Sequence, residues 1–193
     1  MKQLAFLRST QTKSSASRPL ISTIVARDNN INYQQKLKTN DQSGQSSNSG
    51  FRICGRVQTP LVFSIEKLRA MEAVEADDLL LTCGSGEPKG RINQCRGVLL
   101  ADIIHRSNVL ITDHNDTKKM FIIASSDDGY KTVFSWQEVF NTSVGDGIMV
   151  LLEKDGKPLY NGNGPVDLFS AKDYLTGPCY VKELADVEII MVE

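Results

Sequence analysis

The sequence predicts an α+β domain over residues 51–193, rich in short β-strands with a few short helices. Three observations predict it. Apolar residues recur in short, strand-length segments bounded by turn residues. Two Asp-Gly pairs, Asp128-Gly129 and Asp155-Gly156, each lie between two such segments, as hairpin turns do. The helical patterns are few and short, unlike the regular strand–helix alternation of a doubly wound sheet.

The elements follow in order. Phe51–Val57 reads as a strand, with Phe51, Ile53 and Gly55 alternating against polar Arg52. Ser64 is placed to cap a helix over Ile65–Met71, with Ile65, Leu68 and Met71 facing inward. Asp78–Thr82 reads as a buried strand of three leucines, running into Cys83-Gly84-Ser85-Gly86. A polar stretch follows. A second helix near Val98–Arg106 places Leu99, Leu100, Ile103 and Ile104 on one face. Lys119–Ser125 and Tyr130–Phe134 are strands around the Asp128-Gly129 turn. Ser135 and Glu138 have capping-box spacing and start a third short helix. Gly147–Glu153 and Lys157–Tyr160 form a hairpin, and the chain closes with strands near Cys179–Lys182 and Asp186–Val192.

Residues 1–50 read differently. They carry seven basic groups and two acids, net +5, so the rest of the chain carries −6 of the overall −1. Residues 28–50 hold only Ile31, Tyr33 and Leu37 as groups worth burying, too few to offset the entropy of ordering them. Residues 1–50 are therefore expected to be a basic tail or linker; the alternative is that Pro19–Val25 adds a strand to the domain or to a neighbouring subunit. Residues 1–27 lack acids and faintly resemble an organelle transit peptide, but a plain leader explains them as well. The opening apolar run, Leu4–Leu7, is too short for a signal-peptide core, and no stretch approaches the roughly 20 apolar residues of a membrane span. The expectation is a soluble, cytoplasmic protein. An overall charge near zero gives no pull toward nucleic acid or anionic membrane.

Four cysteines (Cys54, Cys83, Cys95 and Cys179) form no CxxC pair and no zinc-ligand spacing with His105 or His114. Four thiols are few for a disulfide scaffold of this size. Cys83 stands apart because a strand delivers it into a Gly-rich loop. Gly84 and Gly86 free the backbone to turn, and consecutive amides in such a loop can cup an anion. Lys89 and Arg91 are near enough in sequence to favour the thiolate, the form that ligates soft metals. A cysteine ending a strand also serves simply as packing, and the residues alone leave both readings open. The loop lacks the Lys-Ser or Lys-Thr of a nucleotide P-loop, and no Ser/His/Asp order is present.

Five segments in order carry a resemblance. They are the strand ending in Cys83, the Gly97–Ile104 "GVxLxDxL" helix, the Asp128-Gly129-Tyr130 turn, Asp155–Leu159 "DGKPL" and, after a Gly-Pro segment, Val181-Lys182-Glu183-Leu184. Together they resemble the molybdenum–pterin domain of the sulfite-oxidase superfamily, over about residues 51–193. The resemblance implies a mixed-sheet, barrel-like molybdopterin-binding fold. It implies that Cys83 ligates molybdenum, that Tyr130 lies at the reacting centre, and that Lys182 lies near the pterin phosphate. Gly84, Ser85, Gly86, Lys89, Arg91 and Lys172 are candidate cofactor contacts. The function implied is two-electron oxygen-atom transfer on a small-molecule substrate, by a molybdenum-dependent oxidoreductase with a separate redox protein as acceptor. The family's larger enzymes carry an Arg-Asn-His segment before the cysteine, and commonly an arginine three residues before the closing lysine. This chain has neither, and Cys179 holds the latter place. The alternative is therefore a non-catalytic pterin- or anion-binding module (sensor, carrier or interaction domain) on the same fold.

Overall fold

The computed structural model describes residues 50–162 and 164–193. The basic tail and the Pro19–Val25 strand expected from sequence lie outside them. Among the described residues ten strands form two sheets. The first has the order β2(Leu61–Ser64), β1(Gly50–Gly55), β10(Leu184–Met191), β5(Met120–Ser126), β6(Lys131–Ser135). The second has the order β3(Val74–Thr82), β4(Pro88–Leu99), β7(Ile148–Lys154), β8(Lys157–Pro158), with β9(Asp167–Ser170) on the same edge of β7 as β8. Among the described strands only β1 and β10 pair in parallel. The rest is antiparallel, so the domain is β-rich α+β with mixed sheets.

The expected barrel-like closure is corrected: β2 and β6 remain edges of one open sheet, and β3 an edge of the other. The reason lies in the connections. Helices α1(Ile65–Arg69), α2(Leu100–His105) and α3(Trp136–Asn141) each carry the chain from one sheet to the other, between β2 and β3, β4 and β5, and β6 and β7. Their apolar sides fill the space between the sheets, and no edge strand reaches the opposite sheet. Leu68, Leu100, Ile103, Trp136 and Val139 join Ile53, Ile122, Phe134, Val150, Leu168 and Ile189 in this main core. The fourth crossing, from β9 to β10, has no helix. It is made by an irregular closing segment with a 3-10 turn at Gly177–Cys179.

Short-range signals set the helix starts. The Ser64 hydroxyl accepts from the Lys67 amide, and Ser135 with Glu138 forms a reciprocal capping box. Strand β7 buries both faces. Ile148, Val150 and Leu152 meet the main core, whereas Met149 and Leu151 meet a second cluster with Ile92, Cys95, Leu99 and Phe169.

Several sequence expectations need correction. The three leucines of β3 are not buried together: Leu79 and Leu81 pack on the second cluster, while Leu80 is 48% exposed. Alternation requires that, because neighbours on a strand face opposite ways. The polar stretch after Cys83, which the sequence leaves without an element, is most of β4. Its pairing with β3 supplies the order that its composition conceals. From Pro88 to Gln94 this ribbon pairs with β3 but not with β7, so the β3–β4 hairpin projects beyond the sheet with Cys83 at its tip. Cys179–Lys182 is not a strand. It is the end of the 3-10 turn followed by one bridge between Val181 and Leu168. Among the described residues no helix is long and apolar enough to cross a membrane.

Candidate functional site

The hairpin tip, the β5–β6 turn and the closing segment meet around an open cleft of about 460 Å³. Leu81, Thr82, Cys83, Gly84 and Lys89 line it from the hairpin, Tyr130 from the turn, and Gly177, Pro178, Tyr180 and Lys182 from the closing segment. Side-chain and backbone bonds fasten the three parts together. The Thr176 hydroxyl donates to the Leu80 carbonyl at 2.8 Å and accepts from the Thr82 amide at 3.1 Å, occupying part of the free β3 edge. The Tyr130 hydroxyl donates to the Pro178 carbonyl at 2.8 Å. Tyr130 is held in the turn by Asp128, whose carboxylate accepts from the Tyr130 amide and the Ser126 hydroxyl.

Cys83 is partly exposed at the cleft wall. Its sulfur lies 2.9 Å from the Ser85 hydroxyl. The loop closes on itself, with the Cys83 amide donating to Glu87 O and the Gly86 amide to Cys83 O; Gly86 takes φ 86°, which glycine adopts without strain. The thiol pKa is lowered, first by the Ser85 hydroxyl, then by the Ser85 amide, with smaller help from the Glu87 amide and Lys89. The Ser85 and Glu87 amides thus favour negative charge on the sulfur itself. The other thiols differ. Burial raises the pKa of Cys54 and Cys95, and burial together with Asp173 pushes Cys179 up to about 12.

Of the four cations picked out in the sequence, Lys89 and Lys182 line the cleft and Arg91 and Lys172 do not. Arg91 stands opposite Leu80 in the β-ladder, on the strand face turned away from Leu81, and pairs with Asp78. Lys172 lays its stem over Gly147 and brings its ammonium to 3.9 Å from Asp146. Gly84 lines the cleft, whereas Ser85 and Gly86 do not: the Ser85 hydroxyl meets the Cys83 sulfur and the Gly86 amide donates to the Cys83 carbonyl. The Tyr130 ring borders the cleft, but its hydroxyl is committed to Pro178.

The sequence reading missed Tyr180. It stands two residues before Lys182, the spacing that puts side chains of an extended segment on one side. Its ring lies 5.8 Å from the Lys182 ammonium and meets Phe169 edge-on. Its hydroxyl donates to Asp167 at 2.8 Å. Among the described residues no group of three or more His, Cys, Asp or Glu side chains is arranged to hold a metal ion.

No family model matches the sequence, and no curated protein matches it. Among solved structures, the fold is similar to the crystal structure of the sulfane dehydrogenase SoxCD from Paracoccus pantotrophus, at TM-score 0.54 and 18% identity. The match covers 75% of this chain and 39% of the SoxCD chain. This is a likeness of fold.

Proposed function

We propose that the cleft binds an anionic pterin-type ligand and that the Cys83 thiolate is the protein's ligand to a molybdenum atom carried by it. One observation carries the reading: the single partly exposed thiol with a lowered pKa faces the same cleft as Lys89 and Lys182. The donor chemistry fits. A thiolate suits a soft metal, two ammonium groups suit a phosphate, and the Tyr130 and Tyr180 rings suit a flat heterocycle. The likeness of fold to a sulfane dehydrogenase supports the same class. When bound, such a group supplies two-electron oxygen-atom transfer, with a separate redox protein as acceptor. The chain's own residues would do the rest. Ser85 and the loop amides hold Cys83 as thiolate; Lys89 and Lys182 bind and orient the anion; Leu81 and Pro178 give the cleft apolar walls.

The test is elemental analysis of protein made in a host that synthesises the cofactor. Molybdenum near one atom per chain, lost in Cys83→Ser, is expected. Absence of molybdenum from the folded wild-type protein overturns the metal assignment.

A second reading has its own observation. Arg91 and Lys172 do not line the cleft, and Lys89 is itself paired with Glu87 at 3.3 Å, so at most two lysines rather than four cations face the ligand. A charged hydrogen bond contributes roughly 1.5–3 kcal/mol, and each 1.4 kcal/mol is about tenfold in affinity. That favours reversible binding of a pterin or similar anion without redox chemistry. Calorimetric binding of a pterin by metal-free protein, unchanged in Cys83→Ser, would select this reading.

A further inference from the structure

The geometry points to Asp167 as a positioning residue: its carboxylate stabilises a bulge in the closing segment that aims Lys182 into the cleft. Asp167 is 2% exposed. It accepts three hydrogen bonds: from the Tyr160 hydroxyl at 3.0 Å, the Tyr180 hydroxyl at 2.8 Å and the Glu183 amide at 2.9 Å.

The bulge follows from the sequence. Val181 and Leu184 are both fully buried in the main core although they are three residues apart. A regular strand cannot bury both, because its faces alternate with a period of two. The backbone pairing shows how the chain solves this. Val181 exchanges two hydrogen bonds with Leu168, and the Leu184 amide donates to Val166 O. Between those points one segment holds only Asp167, and the other holds both Lys182 and Glu183. One extra residue is the definition of a bulge, a device that re-aims side chains. Glu183 takes φ 51°, the left-handed conformation disfavoured for a residue with a β-carbon. The Asp167 carboxylate satisfies its amide. The same carboxylate fixes Tyr180, whose ring stands beside the Lys182 ammonium. Asp167 does not itself line the cleft and acts through these two residues.

This rests on the proposed anion-binding role of the cleft, and the experiment separates the two. Alkylation of Cys83 is followed by mass spectrometry of its peptide, with anionic iodoacetate and neutral iodoacetamide at one pH. The ratio of the two rates reports positive charge felt at the cleft wall. Loss of one nearby charge should lower it roughly threefold at low salt. Lys182→Gln should therefore lower the ratio. Asp167→Leu removes every acceptor at similar volume, whereas Asn would keep an oxygen for the Glu183 amide; it should lower the ratio too, although loss of a negative charge by itself raises it. In the Lys182→Gln background Asp167→Leu should give no drop. Glu183→Gly in the Asp167→Leu background should restore the ratio at least to the wild-type value, because glycine holds the left-handed bulge without the carboxylate. If Lys182→Gln lowers the ratio and folded Asp167→Leu does not, the positioning role is overturned while the cleft reading stands. An unchanged ratio in Lys182→Gln overturns the cleft reading. Where Asp167→Leu alone does not fold, Asp167→Leu with Glu183→Gly decides: a ratio at or above wild type supports the role and a low ratio overturns it.

Discussion

The Tyr130 hydroxyl reaches across the mouth of the cleft to the Pro178 carbonyl at 2.8 Å, joining the β5–β6 turn to the closing segment. Tyr130 is 43% exposed, and its bond to Pro178 is open to water. Tyr130→Phe should therefore lower stability by only about 0.5–1.5 kcal/mol in urea denaturation. It should also loosen Pro178 and its neighbours, seen as faster hydrogen exchange at Gly177–Tyr180. A Tyr130→Phe protein with unchanged exchange there would show that the bond does not hold the cleft mouth.

Cys83 should ionise below the usual thiol range of about 8.5, because Ser85 donates to its sulfur and loop amides reinforce it. Its alkylation rate, followed against pH, should rise at lower pH than that of free cysteine. Ser85→Ala removes the largest contribution and should move the profile up. Cys179, pushed up to about 12 by burial and Asp173, should stay unreactive across the neutral range. Equal rates for Cys83 and Cys179 would contradict this assignment.

These expectations began in the sequence only in part. Caps and turns were legible because they depend on residues three or four apart: Ser64, the Ser135–Glu138 box and the Asp-Gly turns hold where expected. Cys83 was legible as the end of a strand. The strand character of Pro88–Gln94 was not, since its order comes from pairing with β3 and every side chain in it but Ile92 faces water. Arg91 is a candidate by its closeness to Cys83 in sequence, and Lys172 only through the family resemblance. The pleat of the hairpin and the packing over Gly147 direct them elsewhere. Asp167 carried no signal, because its partners Tyr160, Tyr180 and Glu183 converge only through the bulge.

The bond from Tyr180 to Asp167 should show at alkaline pH. Burial, and then the Asp167 charge, raise the Tyr180 pKa above its ordinary value near 10. The folded state thus favours the neutral phenol. The stability this gives is complete below about pH 10 and is lost as pH climbs from there toward the folded value. Tyr180→Phe lacks that titration, but leaves Asp167 one donor short, at about 1–3 kcal/mol. The wild-type advantage over Tyr180→Phe should be full at pH 8 and smaller at pH 11. Comparing the two proteins at each pH cancels the titration of the lysines they share. A constant gap would mean that the phenol ionises alike in folded and unfolded chains.

Two glycines beside Cys83 separate steric from conformational control of the cleft. Gly86 takes φ 86°, and a β-carbon there would meet nothing within 4 Å. Gly86→Ala should therefore lower stability by only the left-handed backbone strain, about 1–2 kcal/mol, and leave the Cys83 environment nearly intact. Gly177 is the opposite case. Its backbone is ordinary, but a β-carbon would stand 2.7 Å from the Thr82 carbonyl oxygen and 3.3 Å from the Cys83 α-carbon. Neither neighbour is a flexible side-chain end, so the closing segment must move off the hairpin tip. Gly177→Ala should lower stability by about 1–3 kcal/mol. Unlike Gly86→Ala, it should change the alkylation profile of Cys83 and weaken binding in the cleft, since Pro178, Tyr180 and Lys182 follow Gly177 in the chain. Equal effects of the two substitutions on Cys83 would mean that the hairpin turn alone, without the closing segment, sets the environment of the thiol.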